Sequence, residues 1–296
     1  MVINHNIAAL NTFSNLQKNT AATQDSLQKL STGSKINKAA DDASGLAISQ
    51  KMQAQINGLD QAQENVSNGT SLVQTAEGAL GNVQDILQKM RTLANQAQNQ
   101  TQNTTDTSNL QDQANALAQE INRISAQTTY NTKNVLSSTA AGDGLFTTSG
   151  IQIQIGADSG QVIDLTLSGS VSGLGGVDIA SLGVAGLSTA SASDYTTVTA
   201  LDLTASSSIN TIQSAIDDVS KLRSKLGAYQ NRMSYASDTL GIESQNLTAA
   251  ESTITDTDVA QEMMNYTKNN ILVQSAQAML AQANQLPQGM LSLLKS

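Results

Sequence analysis

A 3.5-residue spacing of apolar side chains runs through most of this sequence and restricts its fold more than any other feature. Proline, which breaks helices, occurs once in the 296 residues, at Pro287. The spacing is the period of a helical seam that packs against another helix. The longest run covers 35 residues, about 50 Å of helix at 1.5 Å per residue: Leu59, Ala62, Val66, Gly69, Val73, Ala76, Leu80, Val83, Leu87, Met90 and Ala94.

The same period returns twice further along the chain. One run follows a polar break and the other lies near the C-terminus; they comprise Leu110, Ala114, Leu117, Ile121 and Ile124, and then Ile209, Ile212, Ile216, Val219, Leu222, Leu226, Tyr229, Met233, Ala236 and Leu240. We therefore predict a mainly α fold, an elongated antiparallel bundle of long helices. Its predicted shaft core is Leu59, Val66, Val73, Leu80, Val83, Leu87, Leu117, Ile121, Ile216, Leu226, Met233 and Leu240.

The composition changes between the second and third runs. No Lys, Arg or His occurs from residue 134 to 220, and Gly becomes frequent. Apolar residues alternate with polar ones on both sides of "GADSGQ", which predicts a small β-hairpin at 150–168. The Ser- and Gly-rich stretch 169–205 that follows is weakly patterned, and we predict a short surface insertion there.

Both chain ends carry apolar stripes, although chain ends usually fray. The predicted stripe residues are Ile3, Ile7, Leu10, Phe13, Leu16, Leu27 and Leu30 at one end, and Leu272, Ala276, Met279, Ala283, Leu286, Met290 and Leu293 at the other. Burying such a side chain contributes roughly 1.5–3 kcal/mol, whereas ordering each residue costs about 1–2 kcal/mol. An isolated pair of terminal helices would be marginal, so we expect contacts with other copies to order them.

The composition argues against several functional classes. The net charge is −9 and no basic stripe with aromatic residues is present, so nucleic-acid binding is not expected. Cysteine is absent, which excludes zinc fingers and thiol catalysis, and His5 is the single histidine, which excludes a zinc site of the HExxH type. Aromatic residues make up 2% of the chain, too few for a deep ligand pocket. We predict no enzymatic activity and no cofactor or metal.

Membrane binding by the amphipathic ends is a further alternative. It predicts polar faces rich in Lys and Arg with aromatic anchors. The segment from Asp256 onward has only Lys268 and Lys295 and no Trp, and no apolar run reaches the roughly 18 residues that span a bilayer. We therefore expect no membrane insertion.

Two aspartate pairs could be mistaken for metal ligands. Asp41 with Asp42, and Asp256 with Asp258, lie beside predicted helix starts, where a carboxylate caps free backbone N–H groups. Asp258 with Gln261 three residues later has the spacing of a capping box. We predict capping at both pairs.

Several long motifs in this sequence closely resemble those of bacterial flagellins. They cover about 135 residues at the start and about 85 at the end, in the order found in that family. The motifs are "LSTGSKINKAADDASGLAISQKMQAQI" (30–56), "GTSLVQTAEGAL" (69–80), "ILQKMRTLANQA" (86–97), "NLTAAESTITDTDVAQEM" (246–263) and "QAMLAQANQLPQ" (277–288). The resemblance implies a structural subunit of the bacterial flagellar filament, the helical propeller used for swimming motility.

The resemblance also implies a domain arrangement. Residues 1–42 with 256–296 would form the paired terminal helices of the inner tube, called D0. Residues 43–168 with 206–255 would form the surrounding shaft, called D1, and 169–205 would be a variable insertion. A hook–filament junction protein, which shares the terminal helices, is the alternative; the tail "QANQLPQ" favours flagellin.

The family resemblance implies several partners. The chain would bind copies of itself in an open helical homopolymer, together with the filament cap, the hook–filament junction proteins and an export chaperone. It would be extracellular, exported through the flagellar type III apparatus without a cleaved signal peptide. An innate immune receptor would contact Lys89, Leu93 and Gln113. Lys stands there in place of Arg and loses the planar fork, and Gln lacks the charge of Glu, so we expect weakened binding.

Overall fold

The structure is a computed structural model that describes residues 6–136, 150–167, 203–205 and 207–295, with the backbone alone for 286–295. Within these residues the helices are α1 (Ile7–Thr32), α2 (Ala43–Ala97), α3 (Thr104–Gln127), α4 (Ser208–Thr255) and α5 (Val259–Lys295). The strands are β1 (Thr129–Tyr130), β2 (Lys133–Asn134), β3 (Ile151–Gln154) and β4 (Val162–Leu165). The prediction of a mainly helical chain with a small β-hairpin is confirmed. The predicted insertion 169–205 lies almost entirely outside the described residues.

The chain divides into two compact units. The terminal unit comprises residues 1–56 and 245–296, and the central unit comprises residues 57–244. The division falls inside α2 and α4, whereas the sequence predicts boundaries at 42 and 256, where helices begin or end. A continuous helix carries no sequence break at such a division, so motifs alone place the boundary at the nearest helix end.

In the central unit, α2 and α4 pack side by side in opposite directions. Side-chain hydrogen bonds join them at Ser244 to Asp60 (3.0 Å), Gln230 to Glu77 (2.9 Å) and Arg223 to Gln84 (2.5 Å). The residue numbers rise along one helix as they fall along the other. The helices are therefore antiparallel, as the sequence predicts.

The predicted seam of α2 forms the core of the central unit. Val73, Leu80 and Val83 are inaccessible to solvent, and Leu226 and Met233 of α4 are equally buried. Two predicted positions differ: Leu117 and Ile216 are only half-buried, while the adjoining Ala118 and Ala215 are buried. The small side chain occupies the closest approach between helices, and the larger residue beside it packs at the edge. The other predicted shaft positions are buried, namely Leu59, Val66, Leu87, Ile121 and Leu240.

The β3–β4 hairpin packs onto α2 at two glycines. The strands are antiparallel with Ile153 opposite Ile163, and both side chains are buried. A Cβ atom on Gly69 would collide with the Cδ1 atom of Ile153, and one on Gly58 would lie 2.8 Å from the Cβ atom of Ala157. The absence of a side chain at each position therefore lets the hairpin approach the helix.

A tyrosine of α4 holds the end of β4. The Tyr229 hydroxyl donates a hydrogen bond to the Thr166 carbonyl (2.9 Å) and accepts one from the Thr166 N–H (3.3 Å). A side chain of the core helix thereby pairs with the part-buried N–H and carbonyl groups at the edge of the hairpin. The hairpin is thus fixed between α2 and α4.

We predict that Gly69→Ala and Gly78→Ala have opposite effects on the free energy of unfolding. Both glycines lie in α2, but a Cβ atom on Gly78 would meet nothing within 4 Å. Gly78→Ala should stabilise by about 0.5–1 kcal/mol through helix propensity. Gly69→Ala gains the same propensity but overpacks Ile153, so it should destabilise by about 1 kcal/mol net. Denaturant unfolding measures the free energy of unfolding of both variants. Equal stabilisation would mean that Ile153 leaves room for a Cβ atom at position 69.

Candidate assembly surface

The terminal unit is built on an antiparallel pair, α1 and α5. At one end the Asn6 side chain donates from Nδ2 to the Ala283 carbonyl (2.8 Å). Its Oδ1 accepts from the N–H of Ala9 (3.1 Å), so the residue that caps α1 also ties it to α5. One short polar side chain thus aligns both helices at this end.

At its other end α1 stops at a glycine that links to the segment before α5. Gly33 has φ +70°, the left-handed conformation that ends helices, and its N–H bonds the Lys29 carbonyl (2.9 Å). The Gly33 carbonyl accepts from Thr257 N–H (3.0 Å), and Lys35 N–H donates to the Thr255 carbonyl (2.6 Å). These backbone bonds clamp the two chain segments together beyond the helices.

The first aspartate pair combines a helix cap and a turn. The Asp42 Oδ1 atom accepts from the N–H groups of Ser44 (3.0 Å) and Gly45 (2.9 Å), which confirms the predicted cap of α2. The prediction is wrong for Asp41, which instead accepts from the N–H groups of Asn37 (3.0 Å) and Lys38. The difference arises because the turn before α2 offers its own unpaired N–H groups. Asp41 therefore stabilises that turn.

The two aspartates of the second pair also have different roles. Asp258 Oδ1 accepts from the N–H groups of Ala260 (2.9 Å) and Gln261 (3.1 Å), which confirms the predicted cap of α5. Asp256 is not a cap: its carboxylate accepts from the hydroxyls of Ser252 (2.6 Å) and Thr255 (3.1 Å) at the end of α4. Capping at Asp258 fixes where α5 begins.

Small and polar residues dominate the surface between α1 and α5, here called the inner line. These positions are buried or half-buried and recur every three or four residues in both helices. They are Ala9, Thr12, Leu16, Asn19, Thr23, Ser26 and Leu30 in α1, and Asn265, Asn269, Val273, Ala276, Leu280 and Ala283 in α5. The two helices therefore bury few large apolar side chains against each other.

Large apolar residues lie instead on the outside of the pair, on what we call the outer apolar face. Their side chains are 40–67% exposed. The face comprises Ile7, Leu10, Phe13 and Leu27 of α1, and Val259, Met263, Met264, Ile271, Leu272 and Met279 of α5. A folded monomer in water rarely exposes so many large apolar side chains on two neighbouring helices.

The predicted terminal stripes thus divide between two surfaces. Ile7, Leu10, Phe13, Leu27, Leu272 and Met279 lie on the outer apolar face, whereas Leu16, Leu30, Ala276 and Ala283 belong to the inner line. Ile3 lies outside the described residues, as do the side chains of Leu286, Met290 and Leu293. When apolar residues occur on two neighbouring surfaces of a helix, a single 3.5-residue spacing groups both surfaces into one predicted stripe.

Four exposed residues of α5 are absent from the predicted stripes. Val259, Met263, Met264 and Ile271 are all exposed members of the outer apolar face. The signal that would have found them is the spacing of small and polar residues along the inner line, which fixes the opposite side of the helix. The spacing of the apolar residues alone does not show which side of the helix faces its partner.

Charge is divided unevenly between the two units. The terminal unit contains seven Lys and seven Asp or Glu residues, so its formal charge is zero. The central unit contains eight Lys or Arg and 17 Asp or Glu residues and so carries the entire net charge of −9. Copies of the terminal unit can therefore approach one another without net repulsion.

Comparison with known proteins identifies the family. Residues 3–141 match the bacterial flagellin N-terminal helical region and residues 209–294 match the C-terminal helical region. A flagellin of Halalkalibacterium halodurans is 45% identical over 295 residues, which span 100% of both chains. The chain belongs to the bacterial flagellin family.

Other relatives bear similar names. A flagellin of Bacillus subtilis is 44% identical, with 100% of both chains covered. The "Flagellar filament 30.7 kDa core protein" of Treponema maltophilum is 41% identical over 99% of this chain and 100% of its own. A crystal structure of Bacillus cereus flagellin is 29% identical, with a TM-score of 0.46 over 64% of this chain and 94% of that one.

These relatives confirm the prediction of a structural subunit of the flagellar filament. Flagellins are filament proteins rather than enzymes, and they polymerise with copies of themselves. The chain is accordingly an extracellular component of the flagellum. Within the described residues, no three metal-ligating side chains cluster together, and no helix is long and apolar enough to span a bilayer.

The residues predicted to contact an innate immune receptor do not share one accessible surface. Lys89 of α2 and Gln113 of α3 are exposed, but Leu93 is only 4% exposed. The side chain of Leu93 belongs to the core of the central unit. The Leu93 side chain is therefore not accessible to another protein in this structure.

Two ionisable groups near the end of α1 have shifted pKa values. A hydrogen bond from Lys29 Nζ to Asp25 (2.9 Å) raises the pKa of Lys29. The N–H of Asn37, and then that of Lys38, lower the pKa of Asp41 below its ordinary 3.8, because both hydrogen bonds favour the carboxylate. The turn between α1 and α2 is therefore held by a charged Asp41.

We predict that this turn loosens in acid. Because the folded pKa of Asp41 is lowered, its contribution to stability is present above pH 3.8 and is lost as the pH falls through the folded pKa. Carbon-13 NMR should give a midpoint below 3.8 for Asp41, and the amide signals of Asn37 and Lys38 should titrate with it. Asp41→Asn should abolish that titration of the amides. A midpoint at or above 3.8 would contradict the proposed turn.

Proposed function

We propose that the outer apolar face of α1 and α5 is the surface through which this flagellin polymerises. The observation that carries the proposal is the inverted packing of the terminal unit. Small and polar residues form the inner line, and ten large apolar residues are exposed on the outside of the two helices. Exposure of such a face to water is unfavourable, whereas contact with copies of the same unit would bury it against other apolar side chains.

The energetic balance supports assembly over an isolated helix pair. The buried apolar residues of the terminal unit, among those described, are Ile36, Ile56 and Ala283. Each large apolar side chain that is fully buried contributes roughly 1.5–3 kcal/mol. Because these side chains are already about half buried, burying the rest of the whole outer apolar face would contribute on the order of 10 kcal/mol per subunit. That is comparable with the estimated cost of association, about 4–15 kcal/mol.

The two helices present different side chains to neighbouring copies. The α1 part of the face contains Ile7, Leu10 and Phe13, whereas the α5 part is rich in methionine. Contact between unlike surfaces is heterologous, and a heterologous contact that does not close into a ring produces an open helical polymer. The domain roles predicted from the family fit this scheme, with the terminal unit as the polymerising element and the central unit as the shaft.

The same face also suggests where other flagellar proteins bind. Before assembly it must be covered or kept unfolded, which is the task that the family resemblance gives to an export chaperone. At the ends of the filament, cap and hook–filament junction proteins would meet the subunit at the same helices. Export without a cleaved leader, also implied by the family, would deliver the chain to the growing tip.

We predict that Leu10→Asp abolishes polymerisation whereas Asn11→Asp does not. The two neighbouring residues of α1 are both exposed, and both substitutions add one negative charge. Only the first places that charge on the outer apolar face, where burial of an unpaired carboxylate is costly. Sedimentation and electron microscopy of the two variants measure filament yield, with circular dichroism as the check on helix content. Normal filaments from Leu10→Asp would show that α1 does not contribute this surface.

We also predict that a chain reduced to the central unit, residues 57–244, folds but remains a monomer. Its core, including Val73, Leu80 and Leu226, lies wholly within that segment. The outer apolar face is missing, and the remaining chain carries the full charge of −9. Analytical ultracentrifugation beside the full-length chain measures the difference. Filaments from the shortened chain would place the polymerising contacts in the central unit.

A further inference from the structure

The solvent exposure of the methionines differs with their position in the chain. The chain contains no cysteine, so methionine sulfur is its only readily oxidised sulfur. In the central unit, Met90 and Met233 are 1% and 0% exposed. On α5, three methionines of the outer apolar face are exposed to 48%, 59% and 59%, namely Met263, Met264 and Met279. Met52 of α2 is half-buried. Among the described side chains, the most exposed methionines therefore lie on the proposed assembly surface.

We propose that oxidation of Met263, Met264 and Met279 to methionine sulfoxide controls assembly. Oxidation of the unassembled chain by a peroxide blocks its entry into the filament, and assembly in turn shields the same sulfurs from oxidation. The inference rests on the proposed polymerising role of the outer apolar face. It adds a reversible covalent modification to that role.

The chemical step needs only the thioether and a peroxide. The methionine sulfur donates an electron pair to one oxygen of hydrogen peroxide, the O–O bond breaks, and a sulfur–oxygen bond forms. The departing hydroxide takes up the proton released from the transferred oxygen and becomes water. Sulfur is oxidised by two electrons and the peroxide is reduced by two. The product, methionine sulfoxide, is polar and is returned to methionine by sulfoxide reductases.

The position of the three residues makes the effect specific to assembly. None belongs to the inner line, and about half of each side chain is already exposed to water, so a sulfoxide there can be hydrated without separating α1 from α5. In the filament, however, the added S=O group would have to be buried against a neighbouring copy without an assured hydrogen-bond donor, which is unfavourable. The helix pair therefore persists after oxidation, and the contact between copies is what is lost.

The choice of methionine also suits a surface with several neighbours. Its side chain is unbranched and adapts to irregular surroundings, which is why methionine is common where one surface meets different partners. A subunit of an open helical polymer meets copies in several non-equivalent directions. The same flexibility leaves the sulfur accessible until a neighbour covers it. A methionine side chain that adapts to several neighbours is therefore also open to oxidation before assembly.

A competition experiment tests the proposal with the natural full-length chain. The unassembled chain is treated with limiting hydrogen peroxide, quenched, polymerised on filament seeds and separated by sedimentation. Peptide mass spectrometry then gives the sulfoxide fraction at each methionine in the pellet and in the supernatant. We expect the ratio of sulfoxide to methionine at 263, 264 and 279 to be at least about tenfold higher in the supernatant, which corresponds to about 1.4 kcal/mol of contact. Equal ratios in the two fractions would overturn the proposal.

Two internal comparisons come from the same samples. Met90 and Met233 are buried and should oxidise slowly in both fractions, because their sulfur is inaccessible. Peroxide added to finished filaments should modify the three α5 methionines much more slowly than peroxide added before assembly. Equal rates before and after assembly would also contradict the proposal, since they would show that no copy covers this surface. Reduction of the supernatant by methionine sulfoxide reductases should restore polymerisation.

A variant separates these sulfurs from every other target of peroxide. Leucine keeps the apolar volume and cannot be oxidised, so the triple variant Met263→Leu, Met264→Leu and Met279→Leu should polymerise both before and after peroxide. Loss of assembly by the peroxide-treated variant, to the extent seen in the natural chain, would assign the effect elsewhere. If the triple variant fails to assemble, the competition experiment still decides the question. Leu10→Asp tests the polymerising face itself without peroxide, so the two proposals can fail separately.

Discussion

The contact between α1 and α5 is the interaction on which the rest of the terminal unit depends. It is made by small and polar side chains such as Thr12, Asn19 and Ser26, and is closed at its ends by Asn6 and by the backbone bonds around Gly33. Because the inner line uses few large apolar residues, those residues remain available outside. A helix pair with a conventional apolar interior would be more stable alone and would have less surface to offer to other copies. Sparse apolar packing inside the helix pair and the apolar surface proposed for assembly are thus two results of one arrangement.

The central unit follows the opposite rule. Its seam residues, among them Val73, Leu80 and Met233, are fully buried within the chain itself, and the charge of this unit is strongly negative. The hairpin completes that core by lying on Gly58 and Gly69, where α2 has no side chain to hold it away. The unit therefore needs no second copy to bury its seam residues. On the proposed polymerising role of the outer apolar face, one chain combines a unit with its own apolar core and a unit whose apolar residues are buried by neighbouring copies.

This contrast explains how far the sequence could predict the structure. Positions such as Leu80 and Leu87 were predictable, because an apolar residue at helical spacing in a closed core has one environment. At the ends the same spacing was ambiguous: Leu16 and Ala283 lie between the helices, while Leu10 and Met279 face outward. Hydrophobicity cannot tell a core within one chain from a core between chains. The boundary between the two units inside α2 was not predictable for a different reason, because a continuous helix has no sequence signal at that point.

The unequal distribution of charge has a consequence for the finished polymer. Each subunit adds −9 through its central unit, while the terminal unit adds nothing, so a filament of many copies is a polyanion whose charge grows in proportion to its length. Such a polymer gathers a layer of cations from the medium and repels its own kind over roughly a Debye length, about 8 Å at physiological ionic strength. Neighbouring filaments on one cell are then kept apart by the ions around them, and the salinity of the surroundings sets how closely they can run together.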